Sequence, residues 1–354
     1  MNDFTCHLIP ASAEEQWSQE LAALDSQPLF GAAYHRLSAT LWGGEAFLAV
    51  VKHSPHTLAW PYLLHKIHEF PGYYDINSAL GFGGPLSSSG GADSQTFLDE
   101  AFSLLARRWR EAGVVSLFAR FSPFLSNHRL WQQWIGANPE MRGDLLELGH
   151  IVVMDVDPHS PDATLDFRKS LLAEIRKARQ RGFTVVHDSD WARLDDFVAI
   201  YRGVGERNHF SARHEMTREQ IAAFREALGP NAVLFHTLDG PRVAASVLGI
   251  VSGGVLHGFF GGPHPDYVRL GAYKLALHFM AEWAARQGLK QVNIGGGRGG
   301  SDADSLYAFK TAFSHNRMPF YVGRLVVNVE AYDALSAAAG THGTEFFPAY
   351  RFTK

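Results

Sequence analysis

His257–Gly271 reads HGFFGGPHPDYVRLG, and Ala79–Gly91, about half the chain earlier, reads ALGFGGPLSSSGG. Each stretch runs an aromatic, strand-like segment into Gly-Gly-Pro. Beyond each, apolar residues recur at three- and four-residue spacing, in SQTFLDEAFSLLARRWREAG (Ser94–Gly113) and AYKLALHFMAEWAARQG (Ala272–Gly288), which predicts two amphipathic helices. Both helices end at a glycine, Gly113 or Gly288, the residue that most readily takes the left-handed conformation closing a helix. An apolar strand follows each time, VVSLFARF (Val114–Phe121) and KQVNIG (Lys290–Gly295). A repeated unit of strand, Gly-Gly-Pro, helix and strand implies two related domains.

The remaining pattern of the second half fills in around that unit. Strands are expected at Thr184–His187 and Ala232–Leu238, and helices at Trp191–Val204 and Arg218–Leu228. The uncharged run Val243–Pro263 is about as long as the ~20 residues a bilayer crossing needs, but Ser252-Gly253-Gly254 interrupts it. Two β-branched segments, Arg242–Val251 and Val255–Phe260, joined by a Gly-Gly turn predict a buried hairpin instead. Strand Gln291–Ile294, helix Ser305–Phe313 and strand Phe320–Val329 complete the order. The segment HSPDAT after Asp157-Pro158 reads as a linker, which sets the expected domains at 1–157 and 158–354.

Composition narrows the function classes. The chain has 354 residues, 46% of them hydrophobic, enough for two cores of ordinary size. A formal charge of -4 gives no global attraction to nucleic acid, so any polyanion site must be local; DNA is not an expected partner. The single cysteine, Cys6, excludes an internal disulfide and a cysteine zinc site, and suits a reducing cytoplasm. The opening MNDFTCHLIP has no basic segment before an apolar core, so no secretory signal is expected. His53-x-x-His56 and His65-x-x-His68 have metal-like spacing, but in extended chain such positions point to opposite faces, and no carboxylate accompanies them. No metal is expected.

QVNIGGGRGGSDADSLYAFKTAF (Gln291–Phe313) contains a literal Gly295-x-Gly297-x-x-Gly300. Dinucleotide-binding glycines open the first βαβ unit of a fold, whereas these come near the chain's end. No Gly-Lys-Ser/Thr follows, which excludes a phosphate loop of the Walker type. Ser301, Asp302 and Asp304 are N-cap residue types for the helix beyond.

The element order, together with RKSLLAEIRKARQRGFTV (Arg168–Val185), LGAYKLALHFMAEWAARQG, NIGGG and SLYAFKTAF, resembles the FemAB-like branch of the GNAT acyltransferase superfamily, which includes peptidoglycan bridge-forming, aminoacyl-tRNA-dependent transferases. No sustained heptad is present, unlike members of that branch with a coiled-coil arm. The resemblance implies an α/β fold of tandem GNAT-like domains, each a twisted mixed sheet flanked by helices. It implies an acyltransferase that moves an aminoacyl group from aminoacyl-tRNA to an amine of a small-molecule or cell-envelope precursor, with no tightly bound cofactor. An acyl-CoA donor is the alternative, and a non-catalytic binding platform a third reading, since fold does not fix function.

The family's reaction centre maps onto Phe309-Lys310. Amine attack on an ester or thioester builds negative charge on the carbonyl oxygen, and a fixed donor there is worth about 2.7–4 kcal/mol. Lys310 either supplies that donor or sits on the exposed face of a short helix. Arg298 either contacts a phosphate or carboxylate or is simply solvated. GNAT proteins that use CoA hold its pyrophosphate on a Gln/Arg-x-x-Gly-x-Gly/Ala loop; here Val268–Lys274 reads VRLGAYK, with Arg269 one place off and Tyr273 where a small residue is expected. The basic run Arg168–Arg181, with Arg176, Lys177 and Arg179, is either a phosphate-binding surface for tRNA or a solvated helix face. Tyr201, Arg207 and His209, late in an early helix of the second domain, are acceptor-site candidates, His209 as a base.

Overall fold

The computed structural model describes the chain except residues 1–3, 25, 89–93, 161–165, 209–214, 342 and 353–354, and the side chain of Ser94. Contacts divide it into two compact units, Met1–Leu148 with Phe320–Lys354, and Gly149–Pro319.

The first unit opens with β1 (Thr5–Pro10), α1 (Glu14–Leu21), α2 (Ala32–Trp42), β2 (Glu45–His53) and β3 (His56–Lys66). β4 (Tyr74–Asn77) and the short β5 (Leu86–Ser87) follow, then α3 (Ser94–Glu111), β6 (Val114–Arg120) and α4 (His128–Ala137). β1 to β4 pair antiparallel in order, and β4 pairs β6 in parallel through the crossover helix α3. Gly113 closes α3 at φ +83°. The core against α3 and α4 is aromatic, with Trp60, Trp109, Trp131 and Trp134 buried together.

β7 (Gly143–Asp155) leads into the second unit, where α5 (Lys169–Gln180), β8 (Thr184–His187), α6 (Leu194–Asn208) and α7 (Arg218–Leu228) precede three strands. Thr217 and Gln220 form a reciprocal capping box at the start of α7. β8, β9 (Ala232–Asp239), β10 (Arg242–Ser252) and β11 (Val255–Pro263) form an antiparallel meander. The predicted hairpin is β10–β11, turning at Gly253 (φ +59°) and Gly254 (φ +75°), positive angles that favour glycine at both positions. Among the described residues no helix is long and apolar enough to cross a membrane. α8 (Ala272–Arg286) crosses from β11 to its parallel neighbour β12 (Gln291–Gly295), and α9 (Ser305–Lys310) follows. The chain ends with β13 (Arg317–Val326) and α10 (Val329–Ala338).

Each unit therefore repeats one layout: an antiparallel run of strands, a parallel step through a helix, and one final antiparallel strand. That final strand explains why the units differ from the expected 1–157 and 158–354. β7 pairs β12, Gln291 opposite Asp155, while β13 pairs β6, Leu325 opposite Leu117. The strand that follows the first repeat thus completes the second sheet, and the chain's last strand completes the first. The two Gly-Gly-Pro turns also differ. Gly261–Pro263 stays inside β11, paired to Ala245–Val247, whereas Gly83–Pro85 comes after β4 has left the ladder, with an isolated bridge from Gly83 to Phe121.

His53 and His56, read as opposite faces of one extended segment, instead face each other across the β2–β3 turn, where His53 stacks on Phe4 and His56 packs at a tilt against Phe97.

Candidate functional site

A cleft of about 1140 Å³ opens in the second unit beside the end of β12. Its floor is apolar, with Ile294, Phe259, Phe260 and Phe309 among its lining residues, and its rim carries Arg207, Arg269 and Arg298. The tight turn after β12 shapes the inner end. Gly295 has φ +76°, and a Cβ there would lie 3.1 Å from Lys310 Nζ; a Cβ on Gly297 would lie 1.8 Å from the Ser301 carbonyl oxygen. Side chains at these positions would fill the space that the turn and Lys310 occupy.

Asp304 caps α9, accepting from the Tyr307 amide at 2.7 Å and from the Arg298 amide at 2.6 Å. Burial opposes ionisation of Asp304, but the amides of Tyr307, Arg298 and Leu306 hold its carboxyl below the usual range. Asp302, expected as a further cap, instead reaches back to β7, accepting from the His150 amide at 2.9 Å and lying 2.7 Å from His150 Nδ1. α9 is shorter than the expected Ser305–Phe313: it stops at Lys310, and Phe313 turns into the core.

Lys310 points from the last turn of α9 into the cleft, and its Nζ donates to the Gly296 carbonyl at 2.7 Å. Burial pulls its amine down to about 8, with Asp304 pulling weakly the other way. An ammonium has three donors, so one carbonyl bond leaves two for a ligand. Phe309 lies stacked with Tyr273 at 6.1 Å between ring centres, and burial pushes the Tyr273 hydroxyl up to about 12. Lys274 Nζ lies 5.9 Å from the Phe309 ring centre and is ion-paired to Glu174.

The structure gathers Lys310, Phe309, Arg298, Tyr201, Arg207, Tyr273 and Arg269 around this single cleft. Arg298 is anchored by Asn208 Oδ1 at 2.6 Å and Arg207 by the Pro263 carbonyl at 2.9 Å, so both guanidinium groups are fixed at one end. Tyr201 packs edge-on to Phe260 at 5.3 Å, and burial raises its hydroxyl pKa. Arg176 and Arg179 lie elsewhere, in a groove between α5 and α8, where Arg179 pairs with Glu282 at 2.9 Å. Lys177 is exposed on the same helix. His209 lies outside the described residues. Sequence reasoning missed Lys274, Glu174 and Asn208. Glu174 and Lys274 meet only through the packing of α5 on α8, and no local pattern marks that contact.

Residues 166–311 match the model of the acetyltransferase (GNAT) domain. A search of curated proteins gives no match. The structure of FemX is similar over 93% of this chain and 99% of its own, with 14% identity and a TM-score of 0.65. A conserved protein of unknown function from Bacteroides thetaiotaomicron VPI-5482 is similar over 92% of this chain and all of its own, with 13% identity and a TM-score of 0.59. At such identities the likeness is one of fold. The cleft belongs to a GNAT acetyltransferase domain, and the protein is an acyltransferase. Its fold, two units that repeat one layout, is shared over nearly its full length with FemX.

Proposed function

We propose that the protein transfers an aminoacyl group from aminoacyl-tRNA to the amine of a small-molecule or cell-envelope precursor, in the manner of FemAB-like enzymes and in the cytoplasm where charged tRNA is found. The placement of Lys310 carries the reading: an ammonium at the inner end of an apolar cleft, held by one carbonyl with donors to spare. The acceptor nitrogen attacks the ester carbon of the donor. A C–N bond forms, charge collects on the carbonyl oxygen beside Lys310, and the C–O bond to the ribose breaks as the amine loses a proton and the ribose oxygen gains one. Water-poor surroundings strengthen the Lys310 contact to that oxygen. Direct attack needs no covalent enzyme intermediate.

Two observations favour tRNA as the carrier. Tyr273 projects into the cleft from the first turn of α8, the place where a CoA pyrophosphate would need a small residue, and its ring is locked against Phe309. α5 exposes both Arg176 and Lys177 to solvent, cations suited to phosphate. Arg207, Arg269 and Arg298 would hold anionic groups of the two substrates at the rim. The match to an acetyltransferase domain favours acyl-CoA as the second donor class.

A donor screen decides between them. Charged tRNAs and acyl-CoAs are each incubated with the protein and a panel of primary amines, and the released carrier is trapped. The expected result is deacylated tRNA with matching acyl-amine; free CoA thiol with acyl-amine would replace this reading by the second.

A further inference from the structure

The turn from Gly295 to Asp304 has few side chains with which to hold itself, yet it carries the carbonyl that fixes Lys310. Its support is β7. A Cβ on Gly296 would lie 2.5 Å from the His150 carbonyl oxygen, and one on Gly149 would lie 1.9 Å from the Gly300 carbonyl oxygen, so the two backbones touch at both ends of the turn. Between these contacts one side chain closes the arrangement. Asp302 meets the His150 amide with one oxygen and the imidazole Nδ1 with the other. Capping does not explain it, because Asp304 caps α9.

We propose that Asp302 is a positioning residue: by clasping His150 it seats the glycine-rich turn on β7, and so fixes the Gly296 carbonyl that aims Lys310 into the cleft. The link runs Asp302, His150, the Gly296 backbone, Lys310, each step a contact in the structure. It rests on the transfer reading of the same cleft. Without the clasp the turn lifts, the Gly296 carbonyl leaves its place, and water reaches Nζ. The amine then loses the burial that holds it at about 8. The other charged or titratable groups nearby stay as they are in the variant: Asp304 at the head of α9, and Glu174, Tyr273, Lys274 and the rim arginines along the cleft.

The test uses the full chain with Asp302→Ala and the conservative Asp302→Asn. Labelling of Lys310 by an amine-reactive ester, mapped by mass spectrometry against pH, reads the ammonium whether or not transfer occurs. The expected result for Asp302→Ala is a labelling midpoint moved up from about 8 toward the ordinary 10.5, with kcat lowered about tenfold and KM for the donor unchanged. Asp302→Asn, which still accepts from the His150 amide, should fall between. A labelling profile that superposes on wild type in folded Asp302→Ala overturns the proposal, even if its melting temperature drops. Should that variant fail to fold, His150→Gln removes the ring contact alone and is read in the same way. Wild-type transfer by Lys310→Ala would strike the transfer reading instead, leaving the labelling result to stand by itself.

Discussion

The two units carry the same strand and helix order but finish the parallel pair in opposite ways. In the second, β12 ends at Gly295, and the turn beyond it leaves room for Lys310 and an open cleft. In the first, β6 ends at Arg120, whose guanidinium donates to the carbonyls of Ser78 (3.0 Å) and Ala79 (3.3 Å) at the end of β4. Asn127 then fills the turn, donating to the Gly83 and Pro85 carbonyls and accepting from the Ser122 amide. Where α9 presents a lysine to a cleft, α4 presents Trp131 and Trp134 to the core. One copy of the layout leaves an open cleft and the other closes the same region with its own side chains, so room for a ligand follows the last residues of the strands and not the fold.

The largest expected effect separates the two turns. Gly297→Ala puts a Cβ against the Ser301 carbonyl, shifts the turn and should lower turnover about 10²-fold, the loss that follows an ångström-scale misplacement of a reacting group. Single-turnover transfer by a folded variant measures it. In the first unit, Arg120→Ala should instead cost about 1–3 kcal/mol of stability by leaving two carbonyls without their donor, with turnover unchanged; denaturant melts beside kinetics check both halves.

A smaller effect lies in pH. Lys310 is held near 8 in the folded chain against 10.5 unfolded, so between those values the unfolded chain binds a proton that the folded chain does not. Stability should rise with pH through that window, by at most about 1.4 kcal/mol per unit, and the rise should vanish in Lys310→Met. In the proposed reaction the protonated amine is the donor, so activity should run the other way and fall as pH passes about 8. The smallest effect is on the proposed tRNA binding, where Arg176→Glu and Lys177→Glu should each lower the salt slope by about one. Arg179→Glu should mainly lower the melting temperature, since Arg179 already serves Glu282.

Much of this was legible in the sequence wherever local chemistry decides structure. The Thr217/Gln220 capping box fixes the start of α7, Gly253-Gly254 the hairpin, and Gly113 and Gly288 the ends of the crossover helices. The exchange of final strands was not, because β7 and β13 are both apolar strands and nothing within either marks which parallel pair it will complete. Nor was the Asp302 clasp: an aspartate ahead of a helix reads as a cap until the fold brings His150 beside it. Lys310 was reached by family resemblance, while the carbonyl that holds it belongs to a glycine whose sequence signal is only the absence of a side chain.

The central claim is that transfer takes place at Lys310 of the second unit. Its most direct test is single-turnover transfer from saturating aminoacyl-tRNA by Lys310→Ala, with a melting curve to establish folding. The account predicts a loss of about 10²–10³ in rate at unchanged or higher melting temperature, and poor rescue by Lys310→Arg, whose planar guanidinium does not occupy the place of a compact ammonium. Transfer at the wild-type rate by folded Lys310→Ala would contradict it.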